Sequence, residues 1–171
     1  MEYIFENLSL CDVEVFKNKQ NNVFYDKWKE GMLYKPKLRL YVLYKNVFKP
    51  ENYVLLNLER SNRSILAQLR LGILPLRIET GRMKNEKPHE RICMFCNSGS
   101  IEDEYHFLFN CTLYNKERES LFEYIIKDNE SFVFLDYSEK MKYLCENNTR
   151  LFSKFIQECY NIRLKKMYKN N

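Results

Sequence analysis

The feature that most constrains this chain is a set of four side chains packed into residues 91–111, RICMFCNSGSIEDEYHFLFNC, with the spacing Cys93-x2-Cys96-x9-His106-x4-Cys111. Two cysteines separated by two residues can close a tight knuckle that brings both sulfurs to one ion. Asn97-Ser98-Gly99-Ser100 supplies the turn chemistry for a chain reversal after the second of them. Glu102, Asp103 and Glu104 suit the first turn of a helix, where negative charge is favoured. That helix would carry His106, with Cys111 near its end. Three thiolates and one imidazole make a tetrahedral Cys3His set, the coordination that zinc favours, so the spacing predicts one bound Zn2+. All four positions are protein donors, which closes the shell and predicts a structural site, not a catalytic one.

The remaining cysteines and the second histidine do not join this set. Cys11, Cys145 and Cys159 lie on or near apolar helical stripes and read as core residues. His89, between Pro88 and Glu90, reads as exposed.

Around the cluster the chain reads as mainly α: a helical domain with a small embedded Cys-Cys-His-Cys zinc knuckle, a short hairpin plus a helix. Only four Gly and four Pro occur in 171 residues, too few turn-formers for many short strands. Three segments are expected within one compact domain: N-terminal helices at 1–59; a basic helix, connector and knuckle at 60–112; and C-terminal helices at 113–171. In the first, Phe24 and Trp28 share a helical face that Gly31 would end. Leu40, Tyr41, Tyr44, Val47 and Phe48 follow a helical stripe stopped by Pro50. In the second, Ser61 can cap a helix with Ile65, Leu66 and Leu69 inward and Gly72 as its stop. Residues 73–82, with Pro75 and Gly81, read as an extended connector. In the third, Tyr114, Leu121, Phe122, Ile125 and Ile126 form one stripe. Leu151, Phe152, Phe155, Ile156, Cys159 and Tyr160 form a wider one, and the basic RLKKMYK after it suits a helix C-terminus.

Charge is uneven. The net value is +5, yet residues 60–91 carry eight Lys/Arg against three Asp/Glu, and residues 92–112 carry none against three. Residues 150–171 carry six against one. Basic blocks flanking an acidic middle point to an anionic partner, RNA or DNA, with solvated helix faces as the plain alternative. Arg63, Arg70, Arg77, Arg82, Lys84 and Arg91 are the candidate phosphate contacts. Phe95, inside the knuckle, is either a platform for an unpaired base or a hydrophobic plug beneath the metal. For the arginines the alternative includes pairing of Arg77 or Arg82 with Glu79 or the acidic turn at 102–104. The N-terminus does not read as a signal peptide, and no apolar run is long enough to span a membrane. The expected setting is therefore intracellular, in cytoplasm or nucleus, with reduced cysteines and no membrane partner.

The run RSILAQLRLGILPLRIETGR followed by ERICMFCNSGSIEDEYHFLFNCTLYNKER resembles the zinc-binding region that follows the polymerase in reverse transcriptases of invertebrate LINE-like (non-LTR) retrotransposons. KLRLYVLYKNVF and FLDYSEKMKYLCENN extend the likeness, which covers about residues 28 to 160. It maps the family's ligands onto Cys93, Cys96, His106 and Cys111. It implies a noncatalytic module that helps a reverse transcriptase polypeptide hold its RNA template or target DNA. The chain lacks the Asp-Asp pair that polymerases use for two-metal catalysis and is too short for a polymerase body, so no enzymatic activity is expected. A scaffold that docks on another protein without touching nucleic acid is the alternative; a zinc hydrolase is disfavoured by the closed ligand set.

Overall fold

The computed structural model describes residues 10–169, with side chains from residue 13 onward, so the expectation for Cys11 lies outside the described side chains. The chain divides into two compact units, Met1–Pro36 and Lys37–Asn171. The first holds one 24-residue helix, α1, Leu10–Leu33. It runs straight through Gly31, where a methyl group would meet nothing within 4 Å. Glycine ends a helix when a left-handed turn or a close approach requires it. Neither applies at Gly31, and the expected stop is not made there.

The second unit contains α2 (Arg39–Tyr44), α3 (Asn52–Leu55), α4 (Arg60–Arg70), α5 (Arg77–Met83), α6 (Asn115–Asp128), α7 (Tyr137–Glu146) and α8 (Thr149–Lys169). Among the described residues there is no strand, only one isolated antiparallel bridge between Ile92 and Ile101. The expected N-terminal segment 1–59 is divided at Pro36; within the second unit α8 packs on α4, α6 and α7, and α2 and α3 pack on α7, so residues 37–59 share a core with the two later segments.

The long stripe of α8 is realised: Phe152, Phe155, Ile156 and Cys159 are buried, with Leu151 and Tyr160 packed at its margin. It meets Ile65, Leu66 and Leu69 of α4 and Leu121 and Ile125 of α6 in one apolar cluster. Cys145 and Cys159 are buried as expected. Burial pushes the Cys145 thiol up to about 12 and raises that of Cys159 as well, so both are inert neutral thiols.

Gly72 ends α4 as the sequence predicts. Its φ is +60°, its N–H donates to Leu69 O (3.1 Å), and Ile73 N–H donates to Gln68 O (3.0 Å), a Schellman closure. At the other end Ser61 is already inside the helix; Glu59 is the N-cap and makes no side-chain capping bond. The stripe from Leu40 is cut short, because α2 ends at Tyr44 and leaves Val47 and Phe48 exposed. What ends it is Lys45, a buried lysine whose Nζ reaches Glu51 and Lys49 O (2.8 Å) across the loop. The segment expected to be extended at 73–82 instead contains α5, with Glu79 and Gly81 buried.

Candidate metal centre

The cluster is assembled by two local structures and locked by three remote arginines, two of them paired with carboxylates of the acidic triplet. The first local structure is the bridge at Ile92 and Ile101, flanked by Cys93 N–H to Ser100 O (2.9 Å) and Glu102 N–H to Arg91 O (3.0 Å). It closes the loop around Cys96, Ser98 Oγ accepts the Ser100 N–H (3.2 Å), and Gly99 turns with φ +67°. The reversal is thus made by the residues the sequence nominated. The predicted hairpin reduces to this single bridge.

The second is a helical turn begun at Glu104 and completed as a π-helical turn over His106–Asn110. Asp103 Oδ1 accepts the His106 N–H (2.8 Å), which starts the turn as the acidic run suggested. Cys111 N–H donates to His106 O at 2.7 Å, a link across five residues. In an α-helix a residue five positions on points about 140° away from its predecessor. The wider turn returns the chain to nearly the same side, so His106 and Cys111 can face one point.

The ligand atoms of Cys93, Cys96, His106 and Cys111 all lie within 4.8 Å of one another and could hold one metal ion. Cys93 Sγ and Cys111 Sγ are 3.9 Å apart, and Cys96 Sγ is 3.3 Å from His106 Nε2. Two sulfurs about 2.3 Å from one tetrahedral centre are about 3.8 Å apart, and a sulfur and an imidazole nitrogen about 3.5 Å. The donor set therefore fits a tetrahedral ion with small adjustments. His106 Nδ1, the ring atom directed away from the sulfurs, is buried with no hydrogen-bond partner. The hydrogen bond between the two sulfurs lowers the Cys93 thiol, helped by the Phe95 N–H and opposed by burial, and raises that of Cys111, so the two share one proton. A thiolate at Cys93 is what a cation requires.

The acidic triplet does more than start a helix. Glu102 is 1% exposed and pairs through both oxygens with Arg163 of α8, at 2.9 Å each, an ion pair 61 residues apart in sequence. Its Oε2 also accepts the Arg77 N–H (2.8 Å) and its carbonyl accepts the Ile78 N–H (3.0 Å), so Glu102 caps the first turn of α5. That remote cap explains why residues 77–83 are helical where local sequence suggested a connector. Glu104 is buried against Arg39 (Nε to Oε2, 2.9 Å), and burial raises its pKa even so. Arg118 of α6 donates to Leu108 O (2.9 Å) and Cys111 O (2.7 Å), clamping the end of the π-helical turn that carries the last ligand.

Of the nucleic-acid candidates, Arg70, Arg77 and Arg91 are not available as free phosphate contacts. Arg70 is 3% exposed, 2.6 Å from Glu51, and stacked among the rings of Tyr41, Tyr44 and Tyr53. Arg77 is paired with Glu86 at 2.6 Å. Arg91 donates to Ile78 O and Glu86 O, and its side chain lies against Gly81, where a methyl group would be 2.6 Å from Arg91 Cγ. Arg63, Arg82 and Lys84 face solvent, although Arg82 is bound to Glu79. Phe95 is half-buried with the Arg163 guanidinium 5.0 Å from its ring centre, so one ring face is already covered by a cation. His89 is exposed, as expected.

Sequence reading missed Arg118 and Arg163. For Arg163 the clue was present: Phe152, Ile156 and Cys159 define a buried stripe whose next position, four residues on, is 163. A charged residue there demands a buried counter-charge.

The fold and site together define a mainly helical domain with a Cys3His cluster able to hold one metal ion. Comparison with family models, with curated proteins and with solved structures returns no match.

Proposed function

We propose that the cluster holds one structural zinc ion through a small zinc knuckle, and that the chain is a noncatalytic, zinc-stabilised nucleic-acid-binding module of the kind attached to LINE-like reverse transcriptases. The observation that carries the metal assignment is the convergence of three sulfurs and Nε2 of His106 within 4.8 Å. That donor chemistry selects zinc over magnesium or calcium, which take oxygen ligands. Four protein donors complete a tetrahedron, so the ion supplies folding energy, on the order of 10 kcal/mol or more in zinc-finger peptides. Bound zinc fixes the loop at 93–96 against the turn at 106–111. Glu102, Arg163 and Arg118 orient that unit on α5, α6 and α8.

The nucleic-acid reading is supported by the solvent-facing Arg63, Arg82 and Lys84, and the partner is single-stranded RNA or a DNA target held by its phosphates. Three such contacts on a single strand give a slope of about −2 for log Kobs against log salt; six would give about −4. The test has two parts. Metal analysis of wild type beside Cys96→Ser should find one zinc per chain, lost in the variant; zinc-free wild type sinks the metal assignment. Filter binding of a single-stranded RNA oligonucleotide across salt concentrations should give the shallow slope, and no binding at low salt sinks the nucleic-acid role.

A second reading, a docking module without nucleic acid, has its own observation: Leu43, Val47, Val54 and Leu55 are all exposed within a 13-residue stretch. Capture of a protein partner that survives high salt, with no RNA retained, would select it.

A further inference from the structure

We infer that Cys96 is the reactive sulfur of the cluster, the site at which peroxides and soft electrophiles modify this protein and so release its metal; this rests on the zinc reading above. The four donors are chemically similar but not equally reachable. Cys93 is 5% exposed and Cys111 is 1% exposed, each sealed into the apolar core. Cys145 and Cys159 are buried as well, which leaves Cys96 as the one cysteine with a described side chain that is not buried. It sits at the mouth of the loop, followed by four exposed residues, Asn97, Ser98, Gly99 and Ser100. Around Gly99 even an added methyl group would touch nothing within 4 Å, so the approach to the loop is open.

The contacts of the Cys96 sulfur leave it reachable from the loop side. Cys96 Sγ has His106 Nε2 at 3.3 Å on its inner side, and Ser98 Oγ lies at 3.1 Å on the solvent side. The other two sulfurs belong to buried residues.

With hydrogen peroxide the step balances as follows. The Cys96 sulfur attacks one peroxide oxygen, an S–O bond forms, and the O–O bond breaks. Hydroxide leaves and takes a proton from solvent. Sulfur is oxidised by two electrons and peroxide is reduced by the same two, leaving a sulfenic acid. With a maleimide, an S–C bond forms by conjugate addition and solvent protonates the neighbouring carbon. Either product removes one anionic donor from a four-donor shell. The remaining three hold the ion weakly, and it is lost to a competing chelator.

The experiment treats full-length, zinc-loaded protein with limiting N-ethylmaleimide. In each time point it reads adduct position by mass spectrometry and free zinc with a chromogenic chelator. Chymotryptic cleavage after Phe95 and Phe107 separates Cys93, Cys96 and Cys111 onto different peptides, and Cys11 is scored on its own. The expected result is a first cluster adduct at Cys96, formed at least about tenfold faster than at Cys93 or Cys111, with one zinc released per adduct. A parallel peroxide series with dimedone should label Cys96. Modification of Cys93 or Cys111 first, or adduct at Cys96 with zinc retained, overturns the inference and leaves the zinc reading intact. Absence of zinc before treatment overturns both.

Discussion

Arg163→Met tests how the candidate metal centre is held to the rest of the fold. The pair it breaks is buried on both sides, Arg163 at 2% and Glu102 at 1% exposure of their side chains. Removing one member of such a pair leaves an uncompensated charge in the interior and costs about 3–5 kcal/mol. The cation over the Phe95 ring is lost as well, roughly 0.5–2 kcal/mol in a desolvated setting. Glu102 retains the Arg77 N–H, so part of its solvation survives and the lower half of the range is expected. With a urea m-value of about 2 kcal/mol/M, a loss of about 3–4 kcal/mol moves the midpoint down by about 1.5–2 M. The measurement is urea unfolding by circular dichroism at saturating zinc, because a protein that binds metal gives a defined midpoint only at fixed metal concentration. Phe95 lies between two ligands, so a competing chelator should also report metal affinity about 10–100-fold weaker. Arg163→Met combined with Glu102→Gln removes both charges while Gln still accepts the Arg77 N–H, and this double variant should be more stable than Arg163→Met alone. A midpoint shift below about 0.25 M, the range of ordinary surface substitutions, or a double variant weaker than the single one, would refute a buried pair that anchors the cluster.

Arg118→Met removes the donors to Leu108 O and Cys111 O; at about 1–3 kcal/mol for each buried acceptor left unmatched, thermal unfolding should show a loss of about 2 kcal/mol or more. Gly72→Ala places a residue at φ +60° and a methyl group 2.4 Å from Lys37 O, so it should cost about 1–3 kcal/mol. By contrast Gly31→Ala, in a regular helix with open space around it, should increase helix protection in hydrogen exchange, worth up to about 1 kcal/mol. Hydrogen bonds from Arg82 and Lys37 outweigh burial and hold Glu79 at about 2, below the ordinary 4.5. A depressed carboxylate contributes stability that is fully present above its unfolded-state pKa and is lost as pH falls through the folded-state value. The stability gap between wild type and Glu79→Gln should therefore be constant at neutral pH and close between about pH 4.5 and 2; a gap that persists at pH 2 contradicts the assignment.

The Cys3His cluster was legible because its four residues have a local spacing and all fall in one 19-residue stretch. The α8 face and the stop at Gly72 were legible for a similar reason: helical periodicity and a left-handed glycine are written in consecutive residues. What was not legible depended on partners far away in sequence. Residues 77–83 form a helix because Glu102, 25 residues on, accepts the Arg77 N–H. Helix α2 stops at Tyr44 because Lys45 turns inward to Glu51, although Val47 and Phe48 continue its apolar period. Gly31 failed as a stop because glycine permits a helix end without requiring one. The π-helical turn was invisible to a periodicity search tuned to 3.6 residues, yet it is what brings His106 and Cys111 to one side.

Charge read from sequence is also not charge at the surface, and here the difference bears on function. The segment 60–91 has eight basic residues, but Arg70 is committed to Glu51, Arg77 to Glu86 and Arg91 to two carbonyls, while Arg82 is bound to Glu79 and still faces solvent. Two of the counter-charges, Glu79 and Glu86, come from the same segment, and Glu51 precedes it. A buried arginine with a carboxylate partner stabilises little beyond what an apolar pair would, yet it fixes which elements meet. Beside the cluster the pairs are Glu102 with Arg163 and Glu104 with Arg39. Much of the basic character that suggested phosphate binding is thus paired within the fold. Any nucleic-acid contact from this segment falls to a few exposed side chains, led by Arg63 and Lys84, with the weak affinity and shallow salt dependence such a small set implies.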